Sequence, residues 1–324
     1  MKAILWTKYG PPELLEPGEL EKPTPKPDEV LIKIHCATVT AGDCEIRRFQ
    51  IHPLFWLPLR LIVGITRPKR PLLGQEFSGT IKAVGSEVTT YSPGDKVLAS
   101  TGMNFGTYCE YRCQKASTPM SHIPEGVSFE QATTIPTGGI NGLHFLKNAD
   151  MKAGQHLLIN GAGGSIGTYT LQLSKNMGIE VTCVDHATKL EMLTANGADH
   201  VLDYEKDDFT EKTGFYDAVI DISGHVQYSR ALRSLKPNGT LVLGNPATSQ
   251  MFRSIWTNLR SKQKVKWDFA GETLENLDYL ANLIAKRKVN PVIDKRYPLE
   301  GVIEAHQFTE TGLKQGNVII NVTR

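Results

Sequence analysis

The sequence predicts an α/β protein made of a β-rich domain and a doubly wound parallel-sheet domain. Three observations predict it. The first third is dense in short β-branched runs bounded by Pro and Gly, with no long helices between them. From His156 onward, strand and helix signals alternate, as in a parallel sheet covered by helices. A glycine-rich loop, Gly161-Ala162-Gly163-Gly164-Ser165-Ile166-Gly167, joins the first strand of that series to its first helix.

In the β-rich part, strands are expected at 30–37, 79–85 and 95–99, a spacing that suggests an irregular antiparallel barrel or sandwich. The pattern changes near Pro124. Residues 128–149 have helical apolar spacing, interrupted by Pro136 and Gly138-Gly139. Strands follow at 156–160, 181–185, 201–203, 216–221 and 239–244, with helices at 166–177 and 187–195 between them. Past Ala270 an amphipathic helix is expected, with Leu274, Leu277, Ala281 and Ile284 on one face and Leu280 and Leu283 beside it. Residues 292–293 and 318–322 return to strand. A chain ordered this way is expected to close back onto its first domain.

The chain has 324 residues and 40% hydrophobic content, enough for two cores. Lys+Arg is 36 against 34 Asp+Glu, a net charge of +2 that demands neither a nucleic acid nor an anionic membrane as partner. Five cysteines without paired spacing suggest free thiols in a reducing compartment. The N-terminal Met1–Trp6 turns polar with no apolar core and cleavage site after it, so no secretory signal is expected and a cytoplasmic location is the simplest reading. Residues 51–66 are the most apolar stretch, flanked by Arg47, Arg48, Arg67, Lys69 and Arg70. Pro53, Pro58, Arg60 and Gly64 break it well short of the ~20 apolar residues a spanning helix needs. The two prolines also disfavour a long amphipathic helix and hence membrane contact. The segment reads as a cap on the β-domain and part of a pocket wall.

The glycine loop carries the chemistry. Glycines let the backbone turn tightly, approach a pyrophosphate and pack helix against strand. The free N–H groups of the helix start then face the phosphates. Asp185 ends the next strand, 185 − 167 = 18 residues past the last glycine. An acid about there accepts hydrogen bonds from the adenosine ribose and favours NAD; an Asp capping the next helix is the alternative. Lys189 is placed to meet a 2′-phosphate as a point charge or to be a solvated helix lysine.

Other segments carry a resemblance. Gly74-Gln75-Glu76-Phe77-Ser78-Gly79, Val84-Gly85-Ser86-Glu87-Val88, Pro93-Gly94-Asp95-Lys96-Val97, Gly106-Thr107-Tyr108-Cys109-Glu110-Tyr111, the cofactor loop from Asn160 to Gly167 and Leu202-Asp203-Tyr204 together resemble the zinc-independent quinone oxidoreductase branch of the medium-chain dehydrogenase/reductase superfamily, over essentially the whole length. The resemblance implies a GroES-like catalytic domain from both chain ends, at 1–124 and 271–324, and a Rossmann dinucleotide-binding domain at 125–270. It implies NADPH-dependent reduction of quinones or α,β-unsaturated carbonyls. It places Lys189 and Tyr204 at the adenosine 2′-phosphate, Asn141 near the nicotinamide or pyrophosphate, and Ser223 and Gly244 along the cofactor cleft, with Gly161, Gly163, Gly164, Ser165, Ile166 and Gly167 forming the loop. Thr40 departs from the Asn common in relatives. Asp185 is uncommon in relatives that use NADPH, and Lys189 pulls the other way, so NADP(H) is only slightly preferred over NAD(H).

Zinc alcohol dehydrogenases present a catalytic ligand from a Gly-His-Glu motif, where this chain has Gln75, which is not a usual zinc ligand. Their structural zinc needs four close cysteines. Here only Cys109 and Cys113 are close, and four residues apart in a strand is ~13 Å, too far to share a metal. No metal is therefore expected. A carbonyl must then be polarised by hydrogen bonds, and Thr40, Asp43 and Gln75 are the motif-matched polar candidates, Asp43 and Glu76 having fold maintenance as the competing role. Cys44 beside Asp43 reads as structural. The expected protein is a cytoplasmic homodimeric reductase acting on a small quinone or enone. Its rivals are an alcohol or aldehyde dehydrogenase of the same superfamily and a weakly catalytic NAD(P)H sensor.

Overall fold

A computed structural model describes residues 1–323, and the chain forms two units. One comprises Met1–Thr137, Glu272–Arg287 and the stretch from Ile293 onward. The other comprises Gly138–Gly271 and Lys288–Val292. No helix among the described residues is long and apolar enough to cross a membrane.

The first unit opens with β1 (Lys2–Trp6) paired antiparallel to β2 (Leu15–Glu19). Its central strand is β3 (Glu29–Thr38), followed by α1 (Ala41–Arg48), α2 (Pro53–Val63), β4 (Glu76–Val84), β5 (Lys96–Ser100), β6 (Tyr111–Lys115), β7 (Met120–His122) and a short α3 (Phe129–Ala132). β3 pairs antiparallel with both β4 and β6 because its residues are buried nearly throughout and need partners on either edge. The unit runs past Pro124 to Thr137. The reason is local: Ser78 Oγ donates to Phe129 O at 2.7 Å, Thr133 Oγ1 to Cys36 O at 3.3 Å, and Thr137 N to Glu76 at 2.6 Å.

Residues 51–66 form a short helix followed by a loop, not a long amphipathic helix. α2 forms over eleven residues with Pro53 in its first turn and Pro58 inside. Proline is tolerated in a first turn because that N–H has no helical partner anyway. Leu54, Trp56, Leu57, Leu61 and Ile62 stay exposed, while Val63 and Leu59 reach the core and the Arg60 guanidinium lies over the Tyr9 and Phe49 rings. The segment does cap the β-domain core, by one face only.

The second unit runs α4 (Ile140–Ala149), β8 (His156–Asn160), α5 (Ser165–Asn176), β9 (Glu180–Asp185), α6 (Leu190–Ala195), β10 (His200–Asp203), β11 (Tyr216–Asp221), α7 (Tyr228–Ser234), β12 (Leu235–Leu243), α8 (Thr248–Arg260) and β13 (Lys264–Lys266). Its six strands are parallel in the order β10-β9-β8-β11-β12-β13. The chain thus starts in mid-sheet at β8, builds outward to β10, then returns to β11 and builds the other way. That reversal leaves a ligand site at the carboxyl ends of β8 and β11. Leu157, Leu158 and Ile159 of β8 and Ala218, Val219 and Ile220 of β11 are fully buried, as unbroken apolar runs in a sheet covered on both faces should be.

The chain then returns to the first unit through α9 (Leu274–Ala285), β14 (Ile293–Pro298), α10 (Val302–Glu310) and β15 (Asn317–Asn321). β15 pairs antiparallel with β3, which is the closure expected. On α9, Leu277, Leu280, Ala281 and Ile284 are buried, but Leu274 is exposed because it opens the helix beyond the packed turn.

Candidate active site

The turn from β8 into α5 is built by its glycines. Gly161 has φ +84°, a left-handed backbone that non-glycine residues rarely adopt, and its N–H donates to Val184 O at 3.0 Å. Gly167 lies against the loop itself: a Cβ there would stand 2.4 Å from Ala162 O. Gly164 is the N-cap of α5 and makes no side-chain cap bond; a Cβ on it would meet nothing nearer than Gly161 O at 4.0 Å. The first turn of a twelve-residue helix, spanning Ser165, Ile166 and Gly167, therefore opens behind bare backbone. Its amide groups and helix dipole suit an anion. These residues fit the pyrophosphate of a dinucleotide.

Gly163 serves a different purpose from the one its spacing suggests. Its N–H donates to Asp185 Oδ2 at 2.7 Å, and a Cβ there would come within 2.5 Å of Lys189 Cδ and 3.0 Å of Asp185 Oδ2. The other Asp185 oxygen accepts from His186 N at 2.8 Å and lies 2.9 Å from Lys189 Nζ. Asp185, read from spacing as a ribose ligand, is first an anchor that ties the loop to the end of β9. Lys189 is buried and paired, not a free surface charge. Tyr204, just past β10, is 57% exposed and lies 5.9 Å from the His186 ring.

Beneath the loop, Asn160 Nδ2 donates to Asp221 Oδ1 and Ser223 Oγ, both at 2.9 Å, and Ser223 Oγ donates to Asp221 Oδ1 at 2.7 Å. Gly244 N donates to Asp221 O at 2.7 Å, so Ser223 and Gly244 both sit at the carboxyl ends of β11 and β12. Asn160 was read only as the start of the loop and Asp221 only as a strand end; their place at the last position of adjacent parallel strands was the available signal. Asn141 is half-buried on the part of α4 that crosses α5, where its neighbour Gly142 faces Ile166 O and Thr170 N.

In the first unit, Thr40 and Asp43 form a capping box on α1. Thr40 N and Oγ1 donate to Asp43 Oδ2 at 2.9 and 2.7 Å, and Asp43 N donates back to Thr40 Oγ1 at 3.0 Å. Asp43 is completely buried, and burial pushes its carboxyl up to about 6, against the Thr40 hydrogen bonds that pull it down. Gln75 is held by its backbone: its carbonyl accepts from Thr101 N at 2.7 Å and Thr101 Oγ1 at 3.1 Å. Its half-buried carboxamide makes no hydrogen bond among the described residues. Gln75 Nε2 and Thr40 Oγ1 converge over Gly42, lying 3.5 and 3.6 Å from where a Cβ would stand.

Glu76 is an anchor. It accepts from the Thr38 hydroxyl and from Thr137 N, and burial pushes its carboxyl up to about 7. Behind α1, Cys44 Sγ lies 3.3 Å from His306 Nδ1, which also accepts from Arg47 Nε at 3.3 Å. Burial pushes the Cys44 thiol up to about 12, so it is neither nucleophile nor ready metal ligand. A hydroxyl and a carboxamide over Gly42 do not fit a catalytic zinc. Cys109 is fully buried ahead of β6, donating to Tyr111 O at 3.2 Å, and Cys113 lies within β6; both are free thiols.

Comparisons with known proteins agree with this architecture. Residues 26–142 match the alcohol dehydrogenase GroES-like domain and residues 196–320 a zinc-binding dehydrogenase domain. A spinach chloroplastic quinone-oxidoreductase homolog is 29% identical over 99% of this chain and 98% of its own length. A tomato 2-methylene-furan-3-one reductase is 28% identical over 99% of this chain and 79% of its own. The solved quinone oxidoreductase of Coxiella burnetii superposes with a TM-score of 0.89 at 28% identity, covering 100% of this chain and 99% of that one. A mycobacterial protein solved with NADPH gives 0.82 at 26% identity, covering 99% and 100%. The chain thus carries the alcohol dehydrogenase GroES-like and zinc-binding dehydrogenase domains, and it is similar over its whole length to quinone oxidoreductases of the medium-chain dehydrogenase/reductase superfamily.

Proposed function

We propose that this protein reduces quinones or α,β-unsaturated carbonyls with NAD(P)H and without a catalytic metal. The observation that carries the reading is the pair over Gly42: Gln75 offers a carboxamide with no other partner among the described residues, where a zinc enzyme needs an imidazole or thiolate. With the cofactor's pyrophosphate on the Gly161–Gly167 loop, its nicotinamide would supply a hydride to a quinone or to the β-carbon of an enone, and a proton from water completes the reduction.

The chain's own groups orient and polarise. Gln75 Nε2 donates to the carbonyl oxygen as charge develops there. Thr40 is less suited to that donation, since its hydroxyl hydrogen is already given to Asp43. Thr40 and Asp43 are positioning residues that fix the start of α1 beside Gln75. Activated acceptors need less polarisation than a simple ketone, which suits a single neutral donor. The name of the tomato relative, a reductase of a methylene ketone, supports the enone arm. Asn141, Ser165, Ile166, Ser223 and Gly244 complete the cofactor seat. Lys189 and Tyr204, with the NADPH-bound mycobacterial relative, favour NADP(H) over NAD(H).

The test is Gln75→Ala and Gln75→Glu kinetics with a good enone. The expected result is a loss of about ten- to a hundredfold in kcat/KM, with the acid worse than the alanine and Thr40→Ser close to wild type. Unchanged kcat/KM in both Gln75 variants removes it from the reaction. A homodimer in the cytoplasm remains part of this reading; the exposed Phe252, Trp256 and Leu259 of α8 support self-association, which light scattering checks.

A further inference from the structure

At the amino-terminal end of the parallel sheet, away from the glycine loop, three neighbouring strands each begin with a residue that binds metals. His156 opens β8, Glu180 opens β9 and His200 opens β10. The register sets His156 opposite Glu180 and His200 opposite Thr182. His200 Nε2 is 2.9 Å from Glu180 Oε1, His156 Nδ1 is 3.8 Å from the same oxygen, and the three ligand atoms lie within 4.8 Å of one another.

His156 is held in place. Its side chain is only 8% exposed, and its ring stands edge-on to Phe215 and Tyr216 at 4.8 and 5.1 Å. Its Nε2 lies 2.8 Å from Thr182 Oγ1. Metal-bound histidines are usually fixed this way, one ring nitrogen given to a neighbour so that the other presents its lone pair.

We propose that His156, Glu180 and His200 bind a zinc-type divalent cation. Two imidazoles and a carboxylate are a suitable N/O donor set for such an ion. Bonds of about 2.0–2.1 Å in a tetrahedron put donors about 3.4 Å apart, between the two separations seen here. His200 and Glu180 are half-exposed and free to adjust around the fixed His156, and water takes the remaining position. The ion would cross-link β8, β9 and β10 at their starts. It takes no part in hydride transfer, so the site stands or falls independently of the proposed activity.

The test uses chelator-treated protein titrated with zinc chloride by calorimetry, with the thermal midpoint followed in parallel. The expected result is one saturable site per chain and a midpoint that rises with zinc. His200→Ala and Glu180→Gln, both at exposed positions, should each weaken that site by more than about tenfold, since even the outer partners of metal ligands are worth that much. Thr182→Val should weaken it less. Cobalt(II) should give a nitrogen–oxygen spectrum without thiolate charge transfer, which separates this site from the five cysteines. No saturable binding, or affinity and midpoint shift unchanged in both variants, would show the cluster to be an ion pair only.

Discussion

Asp185 Oδ1 and Lys189 Nζ lie 2.9 Å apart with both side chains nearly buried, and the same carboxylate accepts the N–H of Gly163. The two residues that argue for opposite cofactors are thus bonded to each other and to the phosphate-binding loop. The acid that would repel a 2′-phosphate also holds the lysine that would attract it.

Neutralising that acid should shift cofactor choice. Asp185→Asn keeps an acceptor for Gly163 N and frees the Lys189 charge. NADPH binding should tighten relative to NADH by about tenfold, the scale of one close charge interaction in a partly solvated site. Separate fluorescence titrations of the two cofactors check this; an unchanged ratio means Lys189 does not face the 2′ position.

The glycines should separate by what they face. A methyl at Gly167 meets the Ala162 backbone at 2.4–2.6 Å, which has no room to yield, so Gly167→Ala should cost several kcal/mol in stability and abolish cofactor binding. At Gly163 the methyl meets side chains, Lys189 Cδ at 2.5 Å and Asp185 Oδ2 at 3.0 Å, which can shift where the backbone facing Gly167 cannot. Gly163→Ala should fold and alter the NADPH/NADH ratio instead. Equal midpoint losses in the two variants would contradict this.

Glu76 should make stability fall with rising pH. Burial holds its carboxyl at about 7, with Asp43 at about 6, both above their values in an unfolded chain. The folded protein therefore binds more protons between those limits, and the contribution, full below about pH 4.5, is lost as pH rises through about 7. Glu76→Gln can still satisfy both Thr137 N and the Thr38 hydroxyl. Its midpoint should gain on wild type between about pH 5 and pH 8; a constant difference across that range would exclude a titrating Glu76.

Much of the second unit was legible because its signals are local. The strands at 156–160 and 216–221 were read at their observed bounds, since buried parallel strands are continuous apolar runs. α8 was not read. Its exposed face carries Phe252, Ile255, Trp256 and Leu259, which blurs the apolar stripe that marks a surface helix. The cofactor loop was legible as a motif, but the role of Gly163 was not, because Lys189 fills the space a Cβ would take and spacing cannot show that. The cluster behind α1 was equally hidden: Arg47 meets Glu310 and His306 more than 250 residues along the chain. Such pairings exist only once β15 has closed onto β3.

The most direct test of metal-free reduction is turnover by chelator-treated, zinc-free protein. NADPH and NADH oxidation would be followed across a panel of quinones and enones, with simple alcohols and aldehydes as controls. Metal-free reduction requires turnover of at least one quinone or enone, unchanged by chelation, with no oxidation of alcohols. Turnover that appears only when zinc is restored, or no reaction with any acceptor despite cofactor binding, would contradict it.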